Sequence, residues 1–319
     1  MDIQMPNVPT LQEYRTIYHR DDVWRPVIET ICRRYPFLDE PCVRGPDGTH
    51  IVYLVGRMYV VKLFVPLFAQ DFVAEHLVGK HLAGRLGVQT PTIVAEGEIS
   101  GWHYLVMTRI AGRPLEAVWD DVPPANRQRI AAEVGRMIAR LRAVSVAGLE
   151  SLAVDWDAFL AAQAATAPAR HRGTPGLTWD PVQEIPVFLA SLAGLRGESF
   201  APVLLMADIT QEHVFVARRD GWWRVVGYVD FGDALVGHPD YELLAPGLDI
   251  ARGDRELLRA LLLAAGYPES ALDQAFCRRL MAYTLVHRYV KLADVLDMTP
   301  QAHTAASLEE LARMVWPVC

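Results

Sequence analysis

Two aspartates that follow strand-like runs are the residues of this sequence best placed to do chemistry. Asp230 closes the apolar run of a hairpin and stands two residues before Gly232, which permits close approach of a backbone. A carboxylate on a stiff element is a ligand of the kind that phosphate-bound magnesium needs. Asp208 follows the apolar run Val203–Met206 and could accept the proton of an attacking hydroxyl, or orient that hydroxyl. Each aspartate could instead simply cap a turn or a loop.

A predicted hairpin relates these two positions. Asp220-Gly221 lies between two strand-like runs, and this dipeptide is the strongest short signal for a two-residue hairpin turn. The register that follows places Asp230 opposite Gln211, within about one residue of slip. We therefore expect Asp208, His213 and Asp230 to gather at the open end of the hairpin.

Lys62 is the sole charge in the apolar run Met58–Leu67. An ammonium group in such a run must leave the sheet to meet a polar partner, and phosphate oxygens would serve. Glu75, inside the next predicted helix, could pair with Lys62 and hold it in position. The alternatives are a lysine that extends from an edge strand into solvent and a solvated glutamate on a helix face.

The elements that carry these residues fall into a sheet-rich first part and a helical second part. The first part begins with a helix, Asp22–Arg34, with Asp21 as its expected cap. Runs rich in Val, Ile and Tyr predict five strands after it, and residues at helical offsets predict one main helix. The strands are Pro41–Arg44, Ile51–Val55, Met58–Phe64, Ile93–Glu98 and His103–Arg109, and the helix is Asp71–Leu86.

From Pro123 onwards the apolar spacing is helical, apart from the hairpin Val214–Val229 and an expected exposed loop at Thr166–Pro175. The predicted helices are Asn126–Val144, Asp157–Ala165, Val182–Leu195, Asp254–Ala265, Ser270–Leu296 and Ser307–Val315. A sheet-rich lobe joined to a helix-rich lobe indicates an α+β fold.

Composition excludes several classes of protein. The chain of 319 residues is 51% apolar and 22% charged, which is typical of a globular protein. A net charge of -7 argues against nucleic acid as a partner. Met1–Arg20 lacks a signal-peptide core, and no long apolar run predicts a membrane span. Cys32, Cys42, Cys277 and Cys319 form no C-x-x-C pair and are expected to be reduced thiols, so a cytoplasmic location is expected.

The order of these features resembles the aminoglycoside phosphotransferase family, a branch of the protein-kinase-like fold, over nearly the whole chain. YVVKLF is similar to the strand with the nucleotide lysine, YLVMTRIAGRPL to the last N-lobe strand and hinge, and VDFGDALVGHPDYELL to the metal loop. The resemblance implies a two-lobed fold, with a five-stranded antiparallel N-lobe at residues 1–109 and a mostly helical C-lobe at residues 110–319.

The resemblance also implies roles for individual residues. Lys62 and Glu75 would serve the phosphates of ATP or GTP, and the backbone at Thr108 and Ile110 would bond the adenine edge, with Met107 lining the pocket behind it. The turn Gly45–Gly48 would cover the phosphates, although it lacks a full G-x-G-x-x-G. Asp208 would be catalytic, and Asp230 would hold Mg²⁺.

The sequence departs from the family pattern H-G-D-x-x-x-x-N, because it has Met206-Ala207-Asp208 and then His213 in the place of the metal-binding Asn. Apolar packing of Met206 is expected to brace the loop. Imidazole suits softer metals, so a site with His213 and Asp230 could favour Mn²⁺. His213 could instead bind phosphate directly, or only pack and form hydrogen bonds at the end of the loop. Glu212 could then supply the oxygen ligand. Glu242 occupies an acidic position of the helix after the metal loop.

The resemblance implies a phosphotransferase that acts on a hydroxyl of a small cationic acceptor, an aminoglycoside. The strings VVKLF, YLVMTRIAG and ARGDRELLRALLLAAG resemble the hygromycin B 7''-O-kinase group, which makes hygromycin B the expected acceptor and antibiotic resistance the expected outcome. Two alternatives stay open: a kinase of another metabolite or natural-product alcohol, and a pseudokinase that binds nucleotide without transfer.

Overall fold

The computed structural model describes residues 5–190 and 199–318. The end of the predicted helix Val182–Leu195 and the Cys319 thiol lie outside the described residues. The fold is α+β, as predicted, and it separates into two compact units that are described in turn. The first unit comprises Met1–Gly84, Gln89–Ala111 and Tyr228–Asp233, and the second Arg85–Val88, Gly112–Gly227 and Ala234–Cys319.

The first unit is built on one antiparallel sheet of five strands. Alternate residues of Ile51–Val55 are buried, whereas the next two central strands have consecutive buried residues, at Val61–Leu63 and Tyr104–Met107. Lys62 pairs with Leu105 on one side and with Val52 on the other, so it lies in the middle of the sheet. The strands are β1 Cys42–Arg44, β2 Ile51–Val55, β3 Tyr59–Leu63, β4 Ile93–Ile99 and β5 Trp102–Thr108. Their order in the sheet is β1-β2-β3-β5-β4.

Three helices accompany this sheet: α1 Leu11–Ile17, α2 Asp21–Cys32 and α3 Ala69–Leu82. Helix α1 was not predicted; Thr10 caps it, because the Thr10 hydroxyl accepts a hydrogen bond from the Glu13 amide at 3.2 Å. The predicted cap at Asp21 is wrong, because Asp21 is the first helical residue and Arg20 precedes it without a capping bond. The Asp21 carboxylate instead accepts from the Tyr53 hydroxyl and from Arg25 Nε.

The second unit is mostly helical. Its long helix α4, Pro124–Arg142, packs closely on α8, Arg255–Ala264, because Gly135 has no side chain. A Cβ atom at Gly135 would lie 2.2 Å from the Leu261 carbonyl oxygen. Its strands are β6 Arg113–Pro114, β7 Val203–Leu205, β8 Val214–Arg219, β9 Trp222–Tyr228 and β10 Leu235–Gly237. Its helices are α4 Pro124–Arg142, α5 Trp156–Arg170, α6 Pro181–Ala190, α7 Leu244–Pro246, α8 Arg255–Ala264, α9 Gln274–Leu285, α10 Leu292–Met298 and α11 Leu308–Val315.

Two predictions for this unit are wrong. The expected loop Thr166–Pro175 is helical as far as Arg170, within α5. The expected single helix Ser270–Leu296 is divided into α9 and α10. His171 explains the division, because its Nε2 bonds the Leu285 carbonyl at 2.9 Å and its Nδ1 accepts from the Leu292 amide at 3.2 Å. The buried imidazole thus forms hydrogen bonds with a backbone carbonyl and a backbone amide that would bond to other backbone groups in a continuous helix.

The predicted two-residue hairpin turn is confirmed. Strand β8 ends at Arg219 and β9 begins at Trp222, and Asp220 and Gly221 both have left-handed backbones, with φ of 50° and 81°. These are the torsions that a type I′ turn requires. Within the described residues, no helix is long and apolar enough to cross a membrane.

Candidate active site

Lys62, Glu75 and Asp230 form an ion-pair cluster in the first unit. Lys62 Nζ lies 3.0 Å from Glu75 Oε2 and 2.9 Å from Asp230 Oδ1. Lys62 and Glu75 are only 5% and 1% exposed, whereas the Asp230 side chain is 39% exposed. The Phe231 amide also donates to Glu75 Oε2, at 2.9 Å. The structure therefore brings together three of the residues that the sequence predicted.

The cluster contains two carboxylates and one ammonium group, and both burial and their mutual charges shift the pKa values of Lys62 and Glu75. Burial disfavours the Lys62 ammonium, but the carboxylates of Asp230 and Glu75 outweigh it and raise the pKa of Lys62 above its usual value. Burial raises the pKa of Glu75 to about 7, although the Lys62 ammonium acts in the opposite direction. Lys62 is thus a fixed cation at neutral pH, which suits a group that contacts phosphate oxygens.

The backbone at Asp230 is strained. Its φ is 70°, a left-handed value that costs a non-glycine residue free energy and that clusters at functional sites. The Gly232 amide donates to Asp230 Oδ1 at 3.1 Å and so holds the carboxylate on its own turn. A side chain at Gly232 would lie 3.2 Å from Asp230 Oδ1 and 3.4 Å from Asp71 Cβ, so a larger residue would crowd both aspartates.

Asp230 is chemically suited to magnesium. Mg²⁺ in nucleotide sites takes one or two protein carboxylates and completes its shell with phosphate oxygens and waters. Asp230 provides a partly exposed carboxylate beside a lysine, as such a site needs. No group of three or more His, Cys, Asp or Glu side chains among residues 5–190 and 199–318 could hold a metal ion alone. A metal at Asp230 would therefore depend on the nucleotide for most of its ligands.

The sequence reasoning missed His50, which follows the turn Gly45–Gly48. His50 is buried; its Nε2 lies 3.1 Å from Asp71 Oδ2, and its Nδ1 accepts from the Val65 amide at 3.3 Å. Burial lowers the pKa of His50, so the ring is a neutral link between the start of β2 and the first turn of α3. A histidine beside a glycine-containing turn was the available signal, and by itself it is weak.

The predicted adenine-binding backbone lies at the end of β5. Met107 and Ile110 are buried, and strand pairing ends at Thr108. The Thr108 amide donates to the Thr92 carbonyl at 2.9 Å, and its hydroxyl accepts from the Thr92 amide at 2.9 Å. The Thr108 N–H is therefore committed to Thr92, and contacts with a base would have to use its carbonyl or the peptide groups that follow.

The second unit holds the other predicted residues, on the loop between β7 and β8. His213 Nδ1 lies 3.1 Å from Asp208 Oδ2, 3.0 Å from the Asp208 carbonyl oxygen and 3.2 Å from Thr210 Oγ1. Ala207, just before Asp208, has a left-handed φ of 61°. Because Nδ1 faces into the loop, a metal could be ligated only through Nε2 of His213.

Two acidic side chains, Glu242 and Asp249, accept hydrogen bonds from the backbone amides of this loop. Glu242 is 1% exposed, and its Oε2 accepts from the amides of Met206 and Ala207 at 2.8 and 3.4 Å. Asp249 Oδ2 accepts from the Gln211 amide at 2.5 Å. Met206 is fully buried, as expected. The loop is therefore held by apolar packing and also by the hydrogen bonds to Glu242 and Asp249. The sequence indicated the acidic position of Glu242 and gave no signal for Asp249.

The loop borders a small acidic cavity within the second unit. Its volume is about 190 Å³, and Asp208 and His213 line it together with Glu116, Thr210, Gln211, Glu212, Asp249 and Arg252. Arg252 pairs with Asp249 at 3.1 Å. The lining therefore has four carboxylates and one guanidinium group, and its field favours cationic ligands.

Comparison with known families agrees with this arrangement. The sequence model of the phosphotransferase enzyme family, APH, matches residues 47–280, which include every site residue described above. The chain belongs to this family.

Individual relatives of this phosphotransferase family member are distant. Viomycin phosphotransferase from Streptomyces vinaceus is 29% identical over 196 residues, which are 58% of the chain and 63% of the relative. Lysine-specific demethylase JMJ21 from Arabidopsis thaliana is 27% identical over 113 residues, 30% of the chain. The chain thus spans 63% and 12% of these two curated relatives.

Solved structures share its protein-kinase-like fold. The GDP complex of wild-type aminoglycoside 2'-phosphotransferase-IIIa superposes with a TM-score of 0.70 at 17% identity, over 91% of this chain and 98% of that one. The streptomycin-ATP-APH(2")-IIa ternary complex gives a TM-score of 0.60 at 16% identity, over 89% and 97%. The two-lobed fold expected from the sequence is confirmed by these likenesses.

Glu242 gives this family member a testable pH dependence of stability. Burial raises the pKa of Glu242 to about 8, while its bonds to the Ala207 and Met206 amides act in the opposite direction. An acid with a raised native pKa holds a proton in the folded state that the unfolded chain has released. The contribution of Glu242 to the free energy of unfolding is therefore greatest below the unfolded pKa of 4.5 and falls as pH rises towards 8, by at most roughly 1.4 kcal/mol per pH unit.

Glu242→Gln keeps an acceptor for the loop amides and removes the titration. We expect urea unfolding of this variant to depend less on pH between 5 and 8. Its stability relative to the wild type should therefore rise with pH. Glu256→Gln, on the first turn of α8, is the matched control and should follow the wild-type curve. Parallel curves for wild type and Glu242→Gln would contradict the assignment.

Proposed function

We propose that the chain is an ATP- or GTP-dependent phosphotransferase that moves the γ-phosphoryl group to a hydroxyl of a small cationic acceptor, an aminoglycoside. The observation that carries this proposal is the acidic cavity around Asp208, with Glu116, Glu212 and Asp249 in its lining. At about 190 Å³ it is smaller than the ~300 Å³ at the low end for whole drug-sized ligands. It would take one amine-bearing ring of a larger acceptor and present a hydroxyl of that ring to Asp208.

The nucleotide is assigned to residues 1–109 and the acceptor to residues 110–319, with Tyr228–Asp233 packing in the nucleotide unit. Lys62, held by Glu75, contacts the phosphates, and the backbone from Thr108 to Ile110 with Met107 receives the base. Asp230 would hold Mg²⁺, which when bound would neutralise charge on the nucleotide phosphates. GDP and ATP in solved structures of this fold support either nucleotide.

Asp208 handles the acceptor hydroxyl. The hydroxyl oxygen attacks the γ-phosphorus, the bond from that phosphorus to the β-phosphate oxygen breaks, and ADP or GDP leaves. The hydroxyl proton passes to the Asp208 carboxylate. His213 Nδ1 holds that carboxylate in position, since it contacts both Oδ2 and the backbone of Asp208. Most of the rate enhancement comes from positioning and charge neutralisation.

Two acceptors are candidates. The resemblance of the strings VVKLF, YLVMTRIAG and ARGDRELLRALLLAAG to the hygromycin B kinase group favours hygromycin B. The likeness to viomycin phosphotransferase makes viomycin the second candidate. Phosphorylation of either would confer resistance on the host.

An acceptor panel with product mass tests the proposal. The purified chain is incubated with ATP or GTP and hygromycin B, viomycin, kanamycin or streptomycin, and nucleotide diphosphate release is followed. We expect release that depends on at least one of these compounds, with one phosphate added to its mass. Kanamycin acetylated on every amine is the matched control, because it keeps its hydroxyls and loses the charges that the cavity selects.

The panel also includes the metabolite alcohols choline, homoserine and methylthioribose. Turnover with these compounds alone would mean that the acceptor is a metabolite alcohol and not an antibiotic. Nucleotide binding without turnover on the full panel would favour the pseudokinase alternative. Assays of wild type and His213→Asn with Mg²⁺ and Mn²⁺ test the metal: a His213 ligand predicts that the asparagine variant shifts preference towards Mg²⁺, as oxygen donors do.

A further inference from the structure

Cys32 and Cys42 lie next to each other in the first unit, although they belong to different elements. Cys32 is the last residue of α2 and Cys42 the first residue of β1. Their Sγ atoms are 3.5 Å apart, and both are free thiols. To form a disulfide the two sulfurs would have to approach from 3.5 Å to about 2.05 Å.

The backbone at both cysteines is anchored, so the proximity of the thiols is a property of the fold. Arg25 of α2 donates from Nη1 to the Cys42 carbonyl at 2.8 Å, which ties β1 to the helix that carries Cys32. Cys42 is also paired with Val55 in the sheet. On the other side, the Tyr35 amide donates to the Cys32 carbonyl at 2.9 Å. Such anchoring gives the two thiols a high effective concentration for each other.

The two thiols differ in access. Both line an open cleft of about 520 Å³, but Cys32 is 6% exposed whereas Cys42 is partly exposed. Burial raises the pKa of the Cys32 thiol to about 12. Because the thiolate is the nucleophile in exchange, Cys42 is the thiol that reacts first with a reagent from solution.

We infer that Cys32 and Cys42 form a reversible disulfide, with Cys42 as the attacking thiol and Cys32 as the resolving thiol. The oxidant is a small-molecule disulfide. The Cys42 thiolate attacks one sulfur of the reagent, whose S–S bond breaks, and one reagent thiolate leaves. The Cys32 thiolate then attacks the Cys42 sulfur of the mixed disulfide and expels the second reagent thiolate. Two protein thiols are oxidised, and one reagent disulfide is reduced to two thiols.

The cleft also sets a preference among oxidants. Its other charged residues are Glu29, Asp39 and Glu40, with Arg33 as the opposing cation. This excess of carboxylates repels anionic reagents and attracts cationic ones. Cystamine, which carries two ammonium groups, should therefore react about 10-fold faster than glutathione disulfide at low salt, and the ratio should fall at high salt.

The bond would join the end of α2 to the strand that leads into the turn Gly45–Gly48. It closes a short loop, so it should raise the Tm of the oxidised protein by roughly 5 °C. Reduction with dithiothreitol should remove this increase.

The test uses the full chain with Cys277→Ser and Cys319→Ser, which leaves only Cys32 and Cys42. After cystamine treatment, the intact mass should fall by two hydrogen atoms, and neither thiol should be alkylated after denaturation. Adding Cys32→Ser should stop the reaction at a cystamine adduct on Cys42, and adding Cys42→Ser should leave Cys32 nearly unreactive in the folded protein.

A stable cystamine adduct on Cys42 with Cys32 still open to alkylation would overturn the inference. Faster reaction with glutathione disulfide than with cystamine would contradict the charge preference of the cleft. If the double serine variant does not fold, peptide mapping of the oxidised wild type serves instead. There, a cross-linked Cys32–Cys42 peptide supports the disulfide, and its absence from fully oxidised protein opposes it.

Discussion

Asp208→Asn is expected to lower kcat by about 10²–10⁴-fold, the range attributed to a positioned proton acceptor. Asparagine has nearly the same shape, but its amide cannot take the proton of the acceptor hydroxyl. The KM for nucleotide should change little, because Asp208 is assigned to the acceptor and the nucleotide to residues of the first unit. Diphosphate release at saturating acceptor measures kcat, and a melting curve checks that the variant is folded.

Asp220→Asn is the control for Asp208→Asn. It makes the same chemical change in the same unit, but at the exposed hairpin turn, where asparagine fits the left-handed backbone as well as aspartate does. Its kcat should equal that of the wild type. If Asp208→Asn kept kcat within a factor of about two, Asp208 would neither accept the proton nor orient the hydroxyl.

The parts of the site that the sequence predicts are those where one residue constrains another locally. A single charge in an apolar strand must find a partner, and Lys62 finds Glu75 in the helix that follows that strand. The hairpin turn is predictable because Asp-Gly is one of few dipeptides that accept two left-handed residues. The five strands are predictable because runs rich in Val, Ile and Tyr fit a pleated, largely buried surface.

The remaining parts depend on contacts that no local pattern encodes. Glu242 and Asp249 accept hydrogen bonds from backbone amides of the loop, and every residue except proline offers such an amide, so the sequence does not reveal which groups these carboxylates contact. The division of α9 from α10 is caused by His171, which is remote in sequence, while the residues at the break have helical spacing. The short helix α1 lies below the length at which apolar periodicity is informative.

Lys62→Met is expected to reduce activity and stability together, for separable reasons. The loss of a fixed cation at the phosphates should lower kcat by about 10²–10³-fold, as loss of one preorganised electrostatic group does. The buried Glu75 is also left facing Asp230 with no ammonium between them, and breaking a buried ion pair costs about 3–5 kcal/mol. Lys80→Met, at an exposed lysine of α3, is the matched control and should leave kcat unchanged.

The double variant Lys62→Met/Glu75→Gln separates the two reasons. It removes the buried carboxylate that the single change leaves uncompensated, so urea unfolding should show that much of the lost stability returns. Activity should stay low, because glutamine at position 75 restores no cation for the phosphates. Recovery of kcat along with stability would mean that Lys62 serves only to neutralise Glu75. Recovery of stability without recovery of kcat would indicate that the Lys62 charge acts on the nucleotide.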